Sequence, residues 1–414
     1  MTRTMRAGAF AALLALAPVA AQRPLISGER QVIVLNLRSS ATGPASSNAS
    51  LEKTVFTASN SVGAYYREVS GGRTTFTGIV SGPHVLSAIE CNRSTWAREA
   101  DAAAAAAGVD VSTYQYKVYV MPQESIDLCP GWTGLSDRSQ VWILGDPETT
   151  SSAHQITHEL GHSIGLQHAA SRFWEYGDIS DTMGHEGYQM NPHLNAPHKL
   201  QMGWLSDTQV QTVDADGTYT LDALVPVSTG IKTYRVPVPE STDVYYVSYR
   251  TAVGEFDSLL AARYIDRTSI HRFSGSGRTM LLANLSDGES YWESGVLFTQ
   301  QSHAAASARV TIALAALQPP PPPPAPDTIA PSQVRLGMLE RLGSRVRLTW
   351  RTGVDDVGVA GYELYRNGVL LATTASTSHI DTSTRTGIAY AYRVRVFDAA
   401  GNFSAFSNPR SVLR

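Results

Sequence analysis

The chain is short of several things, and each shortage closes off a class of function. Of its 414 residues only two are cysteine, Cys91 and Cys129, and none precedes residue 91. There is therefore no thiol early in the chain to latch a metal in an inactive precursor. Lysine occurs only at positions 53, 117, 199 and 232, so the basic residues are almost all arginine. That skew reads as the base composition of a GC-rich bacterium and carries no mechanistic weight. Net charge is -3 at pH 7, with no basic patch and no long run of one sign, which argues against a nucleic-acid partner. No calcium-loop signature is evident among the scattered Asp and Asn residues, so calcium is left unassigned. Beyond the N-terminus no apolar stretch reaches the about 20 residues that a membrane-spanning helix needs.

What is present begins with "MTRTMRAGAFAALLALAPVAAQ". Arg3 and Arg6, an apolar run from Ala7 to Leu16 and small residues to Ala21 follow the order of a secretory signal. We expect residues 1–21 to be removed and the mature chain to be exported, extracellular and without a membrane span. In that compartment an even cysteine count predicts one Cys91–Cys129 bridge, stabilising by about 3–4 kcal/mol on the chain-entropy account.

The length is too great for one ordinary core, so two or three domains are expected. Strand-like "QVIVLNLRSS" (31–40), "TTFTGIV" (74–80), "YKVYVMP" (116–122) and "QVWIL" (140–144) alternate with helical segments. The helical ones are "SVGAYYREVSGG" (61–72), "STWAREADAAAAAAG" (94–108, with Ser94 as the expected cap) and one from residue 149 or 150 to about Gly165. This alternation predicts an α+β domain over 22–206, a mixed twisted sheet flanked by helices. From 207 to 317 short β-rich segments such as "VYYVSYR" and "ARVTIAL" predict an all-β, sandwich-like domain. "QPPPPPPAPD" (318–327) is a polyproline II spacer. Residues 328–414 resemble a fibronectin type III β-sandwich. That resemblance rests on Trp350, on "YELYRNG" with its Asn367-Gly368 turn pair, and on the Tyr390/Tyr392 strand. It implies a spacer or a binding module, whose ligand would be an extracellular polymer or a surface group.

"HELGHSIGLQH" (158–168) carries the chemistry. His158 and His162, four apart on a helix, share a face and can chelate one ion. Glu159 is rotated about 100° from His158. It is placed to take a proton from water and not to ligate. Gly165 permits the sharp turn that brings His168 back as a third ligand. The full string with a downstream methionine turn is far more specific than HExxH alone. "YGDISDTMGH" (176–185) supplies Met183 as an apolar floor beneath the histidines. His185 is a candidate for transition-state binding, with a second-shell or surface role as the plainer reading. His154 and His198 read as structural. Asp178 and Asp181 read equally as residues that orient a histidine or as turn caps.

At these residues the chain resembles the metzincins, and among them the gametolysin-like peptidases (peptidase family M11), from about residue 31 to 317. The motifs are "HELGHSIGLQH", "YGDISDTMGH" and "NAPHKLQMGWL" (195–205), supported by "AYYREVSGG" and "CPGWTG". The resemblance implies a secreted zinc metalloendopeptidase acting on protein or peptide substrates. His158, His162 and His168 would be its zinc ligands, Glu159 its base, and 195–203 a helix behind the turn. Thr182 stands where a proline is expected. The catalytic domain is expected to begin almost directly after the signal, where the resemblance would lead one to expect a pro-segment. A rival reading is an adhesion or matrix-binding protein with a vestigial metallopeptidase domain; the retained Glu159 argues against it.

Overall fold

The computed structural model describes residues 25–39, 47–87, 90–122, 125–129, 132–145, 152–184, 191–225, 228–258, 260–314 and 327–413. The signal stretch 1–21, residues 318–326 of the proline-rich spacer and His185 lie outside them.

The N-terminal part is an α/β layer. β1 (Gly28–Ser39) is followed by α1 (Asn48–Glu52), α2 (Val62–Val69), β2 (Thr74–Leu86), α3 (Arg93–Ala106), β3 (Tyr116–Met121), α4 (Ser125–Leu128), β4 (Gly134–Asp137), β5 (Gln140–Leu144) and α5 (Ser152–Ser163). The sheet runs β2-β1-β3-β5-β4. Four strands are parallel, and β4 alone is antiparallel, at the edge. β1 is apolar along its centre because both of its faces are covered. Val32 and Val34 pack with Tyr66 of α2 and Ile156 and Leu160 of α5. Ile33, Leu35 and Leu37 pack with Trp96 of α3 and Trp142. This is the continuous hydrophobic run expected of a parallel strand buried between helices. α3 begins two residues earlier than its Ser94 suggested: the side chain of Asn92 accepts from the Thr95 N–H, 3.1 Å away, and caps it. Cys91 and Cys129 are bonded, tying the start of α3 to the end of α4.

The middle part comprises β6 (Ala169–Ser171), α6 (Ala196–Gln201), β7 (Val210–Thr212), β8 (Gly217–Asp222), β9 (Thr233–Pro237), β10 (Val244–Arg250), α7 (Gly254–Asp257), β11 (Arg267–Phe273), β12 (Thr279–Leu285), β13 (Ser290–Glu293), β14 (Val296–Ala304) and β15 (Ser307–Ala313). Two sheets, β6-β12-β11-β10-β9-β7 and β13-β14-β15-β8, enclose one core that includes Tyr245, Tyr249, Phe298 and Ile312. β6 comes from the segment just after His168 and pairs parallel with β12. The boundary expected at 206/207 is thus crossed by a ladder of hydrogen bonds, and the second sheet is built partly from the segment that bears the third histidine.

The C-terminal part holds β16 (Glu340–Leu342), β17 (Arg345–Thr349), β18 (Val359–Arg366), β19 (Val369–Thr374), β20 (Ser378–Asp381), β21 (Ala389–Asp398) and β22 (Arg410–Leu413). They form two antiparallel sheets, β16-β17-β20 and β19-β18-β21-β22. Trp350, Tyr362, Tyr390 and Tyr392 lie in the core between them. Asn367 and Gly368 both have positive φ, 51° and 84°, as a two-residue hairpin turn requires. The whole chain is therefore α+β and dominated by sheet. No helix among the described residues is long and apolar enough to cross a membrane.

Candidate metal centre

α5 sets the first two histidines one turn apart, and their ring centroids are 4.8 Å from each other. The helix stops at Gly165, whose φ of 106° is costly for any residue with a Cβ. The N–H of Leu166 reaches back to the Gly161 carbonyl at 2.9 Å, which closes the helix end. The chain reverses, and the His168 ring arrives 4.8 Å from that of His162 and 5.5 Å from that of His158. One nitrogen from each of the three rings lies within 4.8 Å of the others.

The outer nitrogens explain the orientation. Nδ1 of His158 donates to the Thr182 carbonyl, Nδ1 of His162 to the Leu166 carbonyl, and Nδ1 of His168 to the Glu175 carboxylate, each at 2.9 Å. Those partners only accept, so each neutral ring carries its proton on Nδ1. The Nε2 atoms are left as lone pairs, and those of His162 and His168 stand 3.1 Å apart. A proton between them is disfavoured. Burial, helped by the neighbouring His162 and His154, holds His158 well below the usual histidine range, and burial brings His162 to about 4. Ring nitrogens facing one another at this distance suit a common cation. A three-imidazole donor set is of the kind that holds zinc or a similar transition metal.

The turn beneath is buried and hydrogen-bonded on several sides. Met183 is fully buried, and a Cβ on Gly161 would come within 2.4 Å of its sulfur. The third residue of HxxxH after His158 is thus small because the methionine lies against it. Asp181 accepts from the Met183 N–H at 2.7 Å, and also from the Asn195 N–H and His198 Nδ1. Asp178 accepts from Ser180, from Asn195 Nδ2 and from His271 Nε2. Both aspartates therefore cap the turn and also fix a histidine, though the histidines are His198 and His271 and not the converging three. Thr182, in place of the expected proline, contributes its carbonyl to His158. His154 pairs with Asn191 at 3.0 Å. Arg250, fully buried, bonds the Ser180 and His193 carbonyls and pairs with Asp257 at 2.5 Å, so β10 clamps the turn from behind.

Glu159, the next residue along α5, lies against a strand. A Cβ on Gly134 would lie 2.7 Å from its Oε1, so the carboxylate rests on the edge strand β4. Gln155 bonds Thr133, and Ser163 bonds Ser136, fastening helix to strand on either side of that contact. The stretch from Trp132 to Leu135 leads into this edge strand. Three residues of this site escaped sequence reasoning. Glu175 holds His168. Tyr176 places its ring, tilted, 4.1 Å from that of His168 and 6.2 Å from that of His158. Gly134 leaves room for Glu159. Tyr176 opens "YGDISDTMGH", Glu175 precedes it and Gly134 closes "CPGWTG", but no spacing in those strings gave any of the three a role.

The chain matches the family described as Gametolysin peptidase M11 over residues 31–298. Among curated proteins it is 25% identical over 204 residues to the autolysin of Chlamydomonas reinhardtii, covering 38% of this chain and 31% of that protein. It is 46% identical over 83 residues to an alpha-amylase of Niallia circulans, covering 20% of this chain and 6% of the other. It is also 45% identical over 89 residues to chitinase Chi52 of Paenibacillus xylanexedens, covering 21% and 17%. This chain thus spans under a third of the length of each. A solved structure titled "Structure of FN3tt mut" aligns over 20% of this chain and 97% of its own, at 17% identity and a TM-score of 0.17.

Proposed function

The chain belongs to the gametolysin peptidase M11 family, and on that premise we propose that it is a secreted, zinc-dependent endopeptidase of the metzincin type. Nε2 of His158, His162 and His168 would hold the ion. The observation that carries this reading is the pairing of three anchored Nδ1 atoms with three converging ring nitrogens. When bound, zinc supplies Lewis acidity, making water more acidic and polarising the scissile carbonyl.

The protein's own groups do the rest. Glu159 accepts a proton from the attacking water at its carboxylate and returns it to the leaving amine. Its burial, at 8% exposure, shields that transfer from bulk solvent. The substrate backbone lies extended along the free edge of β4, adding a strand to the sheet. Gly134 keeps that edge next to Glu159 without a side chain between them. Met183 and the Asp178–Asp181 turn hold the His158 acceptor in place.

The C-terminal sandwich reads as a fibronectin type III module that attaches the enzyme to an extracellular polymer. The matches to an alpha-amylase and a chitinase, each about as long as that unit, favour a polysaccharide.

Zymography on casein or gelatin, with and without a chelator, tests the reading together with Glu159→Ala. The variant should keep one zinc per chain and lose proteolysis. Full activity in Glu159→Ala, or activity indifferent to chelation, would overturn it.

A further inference from the structure

A second group of acidic side chains lies far from the histidines. Asp327, Asp355 and Asp398 each bring a carboxylate oxygen within 4.8 Å of the others. They come from three separate pieces of the C-terminal sandwich. Asp327 is where the chain enters it, Asp355 lies in the loop between β17 and β18, and Asp398 ends β21.

Local turns satisfy one oxygen of Asp327, one of Asp355 and both of Asp398. Asp327 Oδ1 accepts from the Ile329 N–H at 3.0 Å. Asp355 Oδ2 accepts from the Val357 and Gly358 N–H groups at 3.1 and 2.7 Å. Asp398 accepts from the Asn402 backbone and side chain, both at 2.8 Å. The remaining oxygens are the informative ones. Asp327 Oδ2 and Asp355 Oδ1 are both shut off from solvent, and neither accepts a hydrogen bond among the described residues. Asp398 is itself 98% buried, at 2% exposure. Among the described residues no Lys, Arg or His forms an ion pair with any of the three.

Turn capping explains the satisfied oxygens and leaves the other two without a reason. An uncompensated buried carboxylate oxygen is costly, and three carboxylates this close repel one another. Asn402 bridges Asp398 and the Asp327 carbonyl, but it is neutral and offsets no charge. The missing element is positive, small and indifferent to hydrogen-bond geometry. An all-oxygen, triply anionic donor set suits a hard divalent cation. Ligands drawn from flexible turns favour calcium over magnesium, which demands stricter octahedral geometry.

We propose that Asp327, Asp355 and Asp398 form a calcium site that fastens the chain's entry into the C-terminal sandwich to two of its loops. The ion neutralises the cluster and fixes the residue that follows the proline-rich stretch. It thereby stiffens the joint between that stretch and the sandwich. This site is independent of the proposed peptidase reaction.

Calcium titrated into the purified full-length chain, followed by calorimetry and by hydrogen exchange, tests this. One equivalent should bind with a dissociation constant of about 10⁻⁴–10⁻³ M, the range of extracellular calcium modules. At saturating calcium, exchange in peptides covering 353–361 and 396–402 should slow by roughly 10- to 100-fold. Asp355→Asn, a conservative change at a partly exposed position, should lose both effects and keep full peptidase activity. Three results would overturn the proposal: no calcium binding by the parent chain, equal binding by Asp355→Asn, or the same protection from sodium chloride at matched ionic strength. If Asp398→Asn fails to fold without calcium but Asp355→Asn binds normally, the role of the cluster is structural hydrogen bonding and the calcium site is refuted.

Discussion

Two sets of histidines lie on opposite sides of the methionine turn, and their chemistry differs. His158, His162 and His168 each anchor Nδ1 and turn a nitrogen toward one another. His193, His198 and His271 are deeper and lie behind the turn, and each pairs one nitrogen with a carboxylate: Glu68, Asp181 and Asp178 respectively. The other nitrogens of His198 and His271 are buried and have no hydrogen-bond partner among the described residues. A carboxylate partner alone therefore does not make a ligand, since His168 also has one in Glu175. What distinguishes the front set is convergence of the second nitrogens. The rear set locks the turn that supports the front one.

The comparison predicts that front and rear substitutions fail differently. The largest effect belongs to the front. His162→Ala should abolish stoichiometric metal and with it proteolysis, while the metal-free variant unfolds within about 1 kcal/mol of the metal-free parent. Metal analysis beside denaturant unfolding checks this, and retention of a full equivalent of metal would erase the distinction. Next comes the rear. Asp178→Ala leaves His271 without its partner and should cost about 3–5 kcal/mol, the usual penalty for breaking a buried pair. The surviving folded fraction should still bind metal.

A smaller effect concerns acid. Burial raises the Asp178 pKa, but the hydrogen bond and charge of His271, with Ser180 and Asn195, more than offset this and hold it down to about 2. A depressed carboxylate contributes stability above its unfolded value near pH 4, and this is lost as pH falls through 2. The contribution is about 2–3 kcal/mol. Acid unfolding of the metal-free protein should accordingly be less steep between pH 4 and 2 in Asp178→Asn; an unchanged profile would remove Asp178 from the account. The smallest expected change is Glu175→Gln, which weakens the acceptor behind His168. It should lower metal affinity roughly 10- to 100-fold, measured by competition with a chromophoric chelator. No change there would mean that helix geometry alone positions the ring.

Much of this was legible in the chain because it is local. The i, i+4 histidines, the breaking glycine and the methionine fifteen residues beyond His168 are neighbours in sequence, and helix geometry converts their spacing directly into position. The same holds for the Asn367-Gly368 turn and for the apolar strands beside α2 and α3. The cap of α3 was misplaced from Asn92 to Ser94 because both residue types cap and the sequence ranks neither. The clamp of Arg250 and Asp257 on the turn, the pairing of β6 with β12, and the meeting of Asp327, Asp355 and Asp398 join residues tens of positions apart. No periodicity encodes such meetings.

The sequence alone therefore determined which groups could serve: three imidazoles, one carboxylate and a backbone able to reverse at Gly165, all fixed by short-range stereochemistry. The tertiary structure decided how they are held, through the Thr182 carbonyl beneath His158, Glu175 behind His168, Gly134 under Glu159 and a buried ionic frame drawn from β10 and β11. Those partners are supplied by burial and sheet pairing across long chain separations, which depend on how whole elements pack and not on any neighbouring residue.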